Sequence, residues 1–201
     1  MTRNIIIFIS GNGSNLQAII DSVKSGTLNC NISLVVSNKK LAFGLTRAAQ
    51  ANIPTLIFPL KPYKDAGKSR NEYDEDLAKK MKEYNPDLIV LAGWMHILSI
   101  NFLKYFDNII NLHPALPNKF DGVNAIERAY DAFKKGEITN TGVMVHKVIP
   151  DIDKGEPLLI EEVPILESDT LDDLETRIHS TEHRLIVQAV KKFLDGLNQQ
   201  I

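Results

Sequence analysis

The sequence has few of the features that mark secreted or membrane proteins. Its 201 residues include one cysteine, Cys30, so an intrachain disulfide is impossible. Its apolar runs fall well short of the roughly 20 residues that span a bilayer. Met1 leads into a strand-like run rather than into a charged leader. These absences predict a cytoplasmic protein with no membrane partner.

Neither sign of charge is in large excess. Lysine and arginine total 23 and aspartate and glutamate total 25, so the net charge is -2 at pH 7. This balance does not favour a nucleic-acid surface, and we expect small-molecule substrates for a monomer or homodimer. Hydrophobic residues make up 44% of the chain, which allows a core of ordinary size without disulfides.

What the sequence does contain is a regular alternation of short apolar runs and amphipathic segments. The runs are rich in β-branched residues, which predicts buried strands. The last two runs are joined by a short connection, which favours an antiparallel pair. The sequence predicts a single α/β domain over 1–201, with a doubly wound, mostly parallel (Rossmann-like) sheet, a late antiparallel edge and a long C-terminal helix. The predicted strands are 5–9, 32–36, 55–58, 88–92, 108–110, 141–149 and 158–163.

Helical spacing of apolar residues separates these runs. Thr170 is the expected N-cap of the last helix, because Asp172 and Asp173 follow in its first turn. The polar segment 59–69 contains Pro62 and is predicted to be a loop. Besides the helix that follows the first strand, the predicted helices are 43–51, 70–84, 101–106, 123–135 and 170–197.

A glycine-containing loop follows the first predicted strand and opens a helix. Its candidate anion-binding residues are Gly11, Asn12, Gly13, Ser14 and Asn15. Glycines let backbone approach a ligand, and a helix amino end offers free N–H groups, so phosphate is the expected guest. The third glycine of a dinucleotide fingerprint is absent, and no Walker lysine follows, so a phosphate monoester fits better than NAD or ATP. A tight turn that packs the helix on the strand is the structural alternative.

Polar side chains also follow the fifth predicted strand. Asn111 and His113 come directly after residues 108–110, and Pro114 and Pro117 then restrict the backbone. In a parallel sheet, ligands bind beyond the carboxyl ends of the strands. An amide can donate to an oxyanion, and an imidazole can transfer a proton near neutral pH. A strand-end histidine that is bonded to a turn carbonyl is the alternative.

A second acidic segment completes a possible reaction centre. Asp151 and Asp153 lie between the last two strands, and a carboxylate beside an imidazole raises the imidazole pKa. A carboxylate, an imidazole and an amide together are the groups that acyl transfer through a tetrahedral intermediate requires. The sequence has no nucleophile elbow. His179 and His183 have the i,i+4 spacing of a zinc protease, but the glutamate between them is in the wrong place for one, so they are interpreted as solvated helix residues. His146 lies in an alternating strand and is interpreted as structural.

Several motifs occur in one order along the chain, and together they resemble those of the folate-dependent formyltransferases of purine synthesis, nearly end to end. Two departures are Ala115, where the family often has serine, and His96, where arginine is common. The motifs are Ile9-Ser-Gly-Asn-Gly-Ser-Asn-Leu-Gln-Ala18, Ser37-Asn-Lys39, Ala42-Phe-Gly44, Leu91-Ala-Gly-Trp-Met95, Asn111-Leu-His113-Pro-Ala-Leu-Pro117, Asp153-Lys-Gly-Glu-Pro157 and Thr181-Glu-His183.

The resemblance implies formyl transfer from 10-formyltetrahydrofolate to the amine of phosphoribosylglycinamide, without a metal. It implies that Asn111 holds the formyl oxygen and that His113 donates a proton. Asp153 would raise the pKa of His113 and help the proton to leave the attacking amine. The implied binding residues are Gly11, Asn12, Gly13, Ser14 and Asn15 for the phosphate, Glu182 for the ribose, and Arg70, Met95, His96, Ile97, Leu98, Asn111 and Asp151 for the folate.

Three other functions share part of this equipment. A formyltetrahydrofolate hydrolase would use Asn111, His113 and Asp153 with water, but it has no phosphorylated acceptor for the glycine loop to hold. A methionyl-tRNA formyltransferase would have a second domain and a basic surface, neither of which we expect here. A non-catalytic nucleotide-binding module would use the glycine loop without needing His113 beside Asp153. The two groups of residues together favour the transferase.

Overall fold

The computed structural model describes residues 2–198, and its contacts divide the chain into two compact units. The first unit ends at Ile110 and the second begins at Asn111. The boundary falls inside strand β5 (Ile109–His113). The residues predicted for phosphate binding and those predicted for catalysis therefore belong to different units.

The first unit is built on parallel strands with helices between them. In chain order its elements are β1 (Arg3–Ile9), α1 (Ser14–Lys24), β2 (Cys30–Ser37), α2 (Phe43–Gln50), β3 (Thr55–Ile57), α3 (Lys61–Asp65), α4 (Arg70–Lys82), β4 (Leu88–Leu91) and α5 (Ile100–Leu103). The strand order is β3-β2-β1-β4, and all three pairings are parallel. The apolar run from Ile5 to Ile9 is fully buried, as expected for a central strand with both faces covered.

The second unit contains the rest of β5 and the antiparallel part of the fold. Its further elements are α6 (Ala125–Lys134), β6 (Asn140–Lys147), β7 (Pro157–Pro164) and α7 (Leu171–Asn198). In the strand order β6 lies between β5 and β7. β6 and β7 are antiparallel, with an irregularity between Val145 and His146. These elements confirm the predicted fold class, a mostly parallel α/β fold with a late antiparallel edge and a long C-terminal helix.

The long helix α7 begins as the sequence predicts. The Asp173 N–H donates to Thr170 Oγ1 at 3.2 Å, and the Thr170 N–H donates to Asp173 Oδ2 at 2.9 Å. This reciprocal cap satisfies two N–H groups at the helix start. One face of α7 is buried, as its helical spacing requires, through Leu174, Ile178, Leu185, Ile186, Ala189, Val190 and Leu194. None of the helices in residues 2–198 is long and apolar enough to cross a membrane.

The sequence predicts a loop over residues 59–69, but α3 occupies the middle of this segment. Pro62 lies in the first turn of α3, where a missing N–H costs no helical hydrogen bond. The Tyr63 ring packs between those of Phe58 and Tyr73, with centroids 5.8 and 5.2 Å away. Aromatic packing thus gives this short helix a tertiary anchor that a single proline signal does not reveal.

Candidate active site

The carboxyl end of β5 presents an amide and an imidazole. The buried side chains of Ile109 and Ile110 anchor the strand. Its last three residues are Asn111, Leu112 and His113. The sequence analysis places these two polar residues after the strand, whereas the structure includes them in it. Regular strand backbone therefore helps to fix both side chains on the same face of β5.

The loop between β6 and β7 brings a carboxylate to this pair. Asp153 Oδ2 lies 3.5 Å from His113 Nδ1. Asp153 Oδ1 accepts a hydrogen bond from Asn111 Nδ2 at 3.2 Å. The side chains of His113 and Asp153 are 5% and 9% exposed, so water screens their interaction only weakly. The structure thus brings Asn111, His113 and Asp153 together within the second unit.

A second imidazole, that of His146, joins this cluster. His146 Nε2 is 3.4 Å from Asp153 Oδ1 and 3.2 Å from Asn111 Nδ2. Its Nδ1 is 2.8 Å from the Lys147 carbonyl oxygen, which only accepts, so Nδ1 carries a hydrogen. In the neutral ring Nε2 then accepts from Asn111, and in the cation it donates to Asp153. One Asn111 Nδ2 hydrogen donates to Asp153 Oδ1, and the other can donate to His146 Nε2 only when that nitrogen carries no hydrogen.

The His113 ring has one nitrogen toward the carboxylate and one available. His113 Nε2 is buried and has no hydrogen-bond partner within the described residues. Burial holds the pKa of His113 below the ordinary value of an imidazole; the charge of Asp153 raises this pKa and that of His146 lowers it. The contribution of Asp153 has the predicted direction, but burial outweighs it. His113 is thus a buried imidazole whose Nε2 is hydrogen-bonded to none of the described residues.

The carboxylate itself is stabilised in its charged form. Burial raises the pKa of Asp153, but its hydrogen bonds with His146 and with the Gly122 N–H, together with the charge of His113, lower it by more. The net effect is a pKa below the usual range of an aspartate. Asp153 therefore remains an anion beside the two imidazoles and can accept a proton or orient a ring.

Residues 150–155, which we call the aspartate loop, have a constrained backbone. Asp153 has φ +54°, in the left-handed region that costs energy for a non-glycine residue. A Cβ on Gly155 would lie 1.6 Å from the Lys147 carbonyl oxygen, so only glycine fits there. The Gly122 N–H donates to Asp153 Oδ2 at 2.8 Å. The loop is therefore fixed at its tip and at its carboxyl end.

Residues 10–15, which we call the glycine loop, run from the end of β1 into the first turn of α1 in the first unit. Gly13 precedes α1 with φ +74°, and no side chain caps the helix, so its first N–H groups can meet an anion. A Cβ on Gly13 would lie 2.6 Å from Gly44 Cα. The Gly44 N–H donates to the Gly11 carbonyl at 3.1 Å. Close glycine packing therefore shapes the segment that is predicted to bind phosphate.

The Arg47 side chain on α2 donates hydrogen bonds to Asn12 in the glycine loop. Its Nε donates to the Asn12 carbonyl oxygen and its second terminal nitrogen to Asn12 Oδ1, both at 2.9 Å. Its remaining nitrogen donates to Gln17 Oε1 at 3.3 Å. This fork-shaped contact fixes both the backbone and the side chain of Asn12, which a lysine cannot do with one ammonium.

Arg70, at the start of α4, organises the segment after β4. Its Nε donates to Asp74 at 3.1 Å, and a terminal nitrogen donates to the Ile97 carbonyl oxygen at 2.6 Å. Asp74 is fully buried and also accepts from the Ser99 N–H at 2.9 Å. Two charged groups thus fix the backbone at Ile97 and Ser99, and Arg70 already has protein partners.

The remaining predicted residues differ in exposure. Met95 and Ile97 are 61% and 58% exposed, and Leu98 is buried. His96 lies between the rings of Tyr73 and Trp94, with centroids 5.9 and 5.5 Å away, and burial lowers its pKa. The exposed apolar pair could contact a flat ring system, whereas Leu98 belongs to the core.

Two further predicted residues lie in the second unit. Glu182 is 6% exposed on α7, and Asp151 is exposed at the start of the aspartate loop. In residues 2–198 no group of three or more His, Cys, Asp or Glu side chains has the arrangement of a metal site.

The sequence analysis misses two residues of these arrangements. His146 is interpreted as structural, although its place at the end of β6, beside β5, is a usable signal. Arg47 receives no role, although a cation one turn after Gly44 at the start of α2 is a second signal. Both make contacts with residues distant in sequence, His146 with Asn111 and Arg47 with Asn12.

Comparison with known proteins identifies the family. The formyl transferase family profile matches residues 3–190. A phosphoribosylglycinamide formyltransferase of Dictyostelium discoideum is 51% identical, with 95% of this chain and 98% of that protein covered, and the Escherichia coli enzyme of the same name is 38% identical, with 96% and 88% covered. The structure of a glycinamide ribonucleotide transformylase from Symbiobacterium toebii superposes with a TM-score of 0.89 at 35% identity, with 97% and 89% covered. The chain therefore belongs to the phosphoribosylglycinamide formyltransferase family and is an enzyme of that family.

Proposed function

We propose that the protein transfers the formyl group of 10-formyltetrahydrofolate to the primary amine of phosphoribosylglycinamide in purine synthesis. One observation carries the proposal: Asn111, His113 and Asp153 converge in the second unit while His113 Nε2 is left without a partner. Family membership supports the reaction class. The sequence identity to relatives named after phosphoribosylglycinamide supports that compound as the acceptor. The single formyltransferase domain would comprise residues 1–201.

In the proposed reaction the amine nitrogen attacks the formyl carbon, and the carbonyl electron pair moves onto oxygen. Protonated His113, through Nε2, and an Asn111 hydrogen would donate to this oxygen as its charge develops, which is where such donors lower a barrier most. Asp153 would accept the proton lost by the amine, directly or through water. As the intermediate collapses and the bond from carbon to N10 of the folate breaks, N10 takes up the proton that Asp153 accepted from the amine, directly or through water.

The role of Asn111 depends on His146. In the neutral state of His146, both Asn111 hydrogens have partners, Asp153 Oδ1 and His146 Nε2. A protonated His146 would donate to Asp153 instead, at a separation of 3.4 Å, and would free one Asn111 hydrogen for the formyl oxygen. We therefore assign His146 to the orientation of the amide and the carboxylate.

We assign substrate binding to the other predicted residues. The glycine loop, with the uncapped N–H groups of α1, would bind the phosphate of the acceptor, and Glu182 would bind the ribose. Arg70, residues 95–98, Asn111 and Asp151 would line the folate site. The exposed side chains of Met95 and Ile97 support this role, because exposed apolar groups beside fixed backbone suit an aromatic ligand.

The direct test follows tetrahydrofolate release by absorbance, with and without phosphoribosylglycinamide. We expect release to require the acceptor, and mass spectrometry to find the formyl group on the acceptor amine. Dephosphorylated acceptor is the matched control, and it should raise KM strongly. Release without acceptor would make the protein a hydrolase, and binding of substrates without release would make it a binding module.

A further inference from the structure

A lysine next to Asp153 connects the aspartate loop to the chain that follows His113. We propose that the ion pair between Lys154 and Asp121 positions the Asp153 carboxylate against His113 and so sets the rate of the chemical step. This inference deepens the proposed function and rests on it for its kinetic consequences. Lys154 and Asp121 are positioning residues in this account, because neither needs to touch substrate.

Two adjacent contacts join the same two segments. The Lys154 ammonium pairs with the Asp121 carboxylate, and the next residue along that segment, Gly122, donates its N–H to Asp153 Oδ2 at 2.8 Å. Lys154 Nζ also donates to Asn118 Oδ1 at 3.3 Å. Asp153 is thus held by Gly122 and Lys154 by Asp121, and two contacts at adjacent residues restrict the direction as well as the position of the loop tip.

The geometry at Asp153 makes this support necessary. The backbone of Asp153 is in the left-handed region, so the local conformation is not self-stabilising. The separation of 3.5 Å between Asp153 Oδ2 and His113 Nδ1 is already at the outer limit of a hydrogen bond. A further small displacement of the loop would therefore leave only a weaker electrostatic interaction.

The ion pair contributes little to global stability. The side chains of Lys154 and Asp121 are 39% and 32% exposed, and water screens such pairs strongly. Removing the pair should therefore change the position of one loop rather than unfold the protein. This separation of effects lets a variant test positioning without a loss of fold.

The direction in which the His113 pKa shifts distinguishes a positioning role of Lys154 from an effect of its charge alone. The charged groups that act on His113 are Asp153, His146 and Asp121. Lys154 is not among these groups, so loss of its charge without movement of the loop would leave the pKa of His113 unchanged or raise it, because a cation disfavours an imidazolium. Movement of Asp153 away from the ring would lower that pKa, because its carboxylate raises it. Movement of Asp153 therefore predicts a lower pKa of His113, whereas loss of charge alone predicts an unchanged or higher one.

The test is an NMR titration of the His113 ring in the full-length protein, with kinetics on the same samples. For Lys154→Met we expect a lower His113 pKa, a kcat reduced about five-fold because misplaced catalytic groups cost rate steeply, and an unchanged KM for phosphoribosylglycinamide. Lys154→Arg should restore both values. Lys191→Met is the matched control, since it removes the same charge from an exposed pair on α7, and it should change neither.

Asp153→Asn provides the second arm. If Lys154 acts through Asp153, then Lys154→Met should cost nothing more in the Asp153→Asn background. A raised or unchanged His113 pKa in Lys154→Met, an equal loss in Lys191→Met, or an undiminished loss in the Asp153→Asn background would each overturn the inference. Absence of acceptor-dependent release by the unmodified protein would instead refute the proposed function, and the titration would still decide the positioning of Asp153.

Discussion

The glycine loop and the aspartate loop are both short, tightly turned segments, but different forces hold them. The glycine loop has a glycine in the left-handed region, a close approach between Gly13 and Gly44, and neutral acceptors that bind Arg47. The aspartate loop has an aspartate in that region and is held by charged groups. The comparison teaches that the proposed binding segment depends on shape, whereas the proposed catalytic segment depends on charge and protonation.

The largest expected effect separates chemistry from binding. In His113→Ala we expect kcat to fall by about 1,000-fold, within the range for loss of a general acid. The Kd for the phosphorylated acceptor should stay nearly unchanged, because the glycine loop is intact. Steady-state kinetics and calorimetry on the same preparation measure the two values. An active His113→Ala variant, or one that loses acceptor binding, would remove the distinction between the loops.

The next effect tests the close approach in the aspartate loop. Gly155→Ala places a methyl group 1.6 Å from the Lys147 carbonyl oxygen, so the loop must shift and carry Asp153 with it. We expect kcat to fall by about 10- to 100-fold, since displacement of a catalytic group by about 1 Å costs that much.

Gly196→Ala is the matched control for Gly155→Ala. Nothing lies within 4 Å of the added methyl group, and a helical glycine gains up to about 1 kcal/mol on replacement by alanine. It should keep full activity with equal or higher Tm. Full activity in Gly155→Ala would show that the loop tolerates movement and would contradict the account of its backbone.

Much of the fold follows from local signals. Buried strands such as β1 are continuous β-branched runs, and Thr170 and Asp173 form the cap that their spacing predicts. The helix α3 was not predictable from Pro62 alone, because its stability comes from the rings of Phe58 and Tyr73, which are set by tertiary packing. Local chemistry thus predicted the strands better than the connections.

The candidate site divides in the same way. Asn111 and His113 stood out because they follow a buried strand at the edge where ligands bind, and the resemblance to a known family selected Asp153 rather than Asp151. His146 did not, because its role depends on a contact with Asp153 that no local pattern encodes. The net pKa of His113 was equally out of reach, since sequence reveals the neighbouring acid but not the burial that outweighs it.

A smaller effect tests the glycine loop. Arg47→Lys keeps the positive charge but cannot donate to both the carbonyl and the side-chain oxygen of Asn12. We expect KM for the phosphorylated acceptor to rise about 3- to 10-fold, as for loss of one or two hydrogen bonds, with kcat and the KM for folate unchanged. Equal rises for both substrates would indicate a general loss of structure instead.

The smallest expected change is a shift in the protonation of His113, measured apart from the loss of rate that removal of a catalytic carboxylate would cause. In Asp153→Asn we expect the pKa of His113 to fall further below its ordinary value, because the carboxylate that raises it is gone. His113 would then be protonated only at lower pH than in the unmodified protein. An NMR titration measures this, with Asp172→Asn, an exposed acid in the first turn of α7, as control. A raised pKa would contradict the role of Asp153.

The most direct test of the division between binding and chemistry is formyl transfer measured over a wide range of acceptor concentration in Gly13→Val and His113→Ala. The account predicts that Gly13→Val, whose added side chain clashes with Gly44, recovers most of the normal rate at high acceptor. His113→Ala should remain slow at every concentration. Recovery of His113→Ala by added acceptor, or a concentration-independent defect in Gly13→Val, would contradict the central claim.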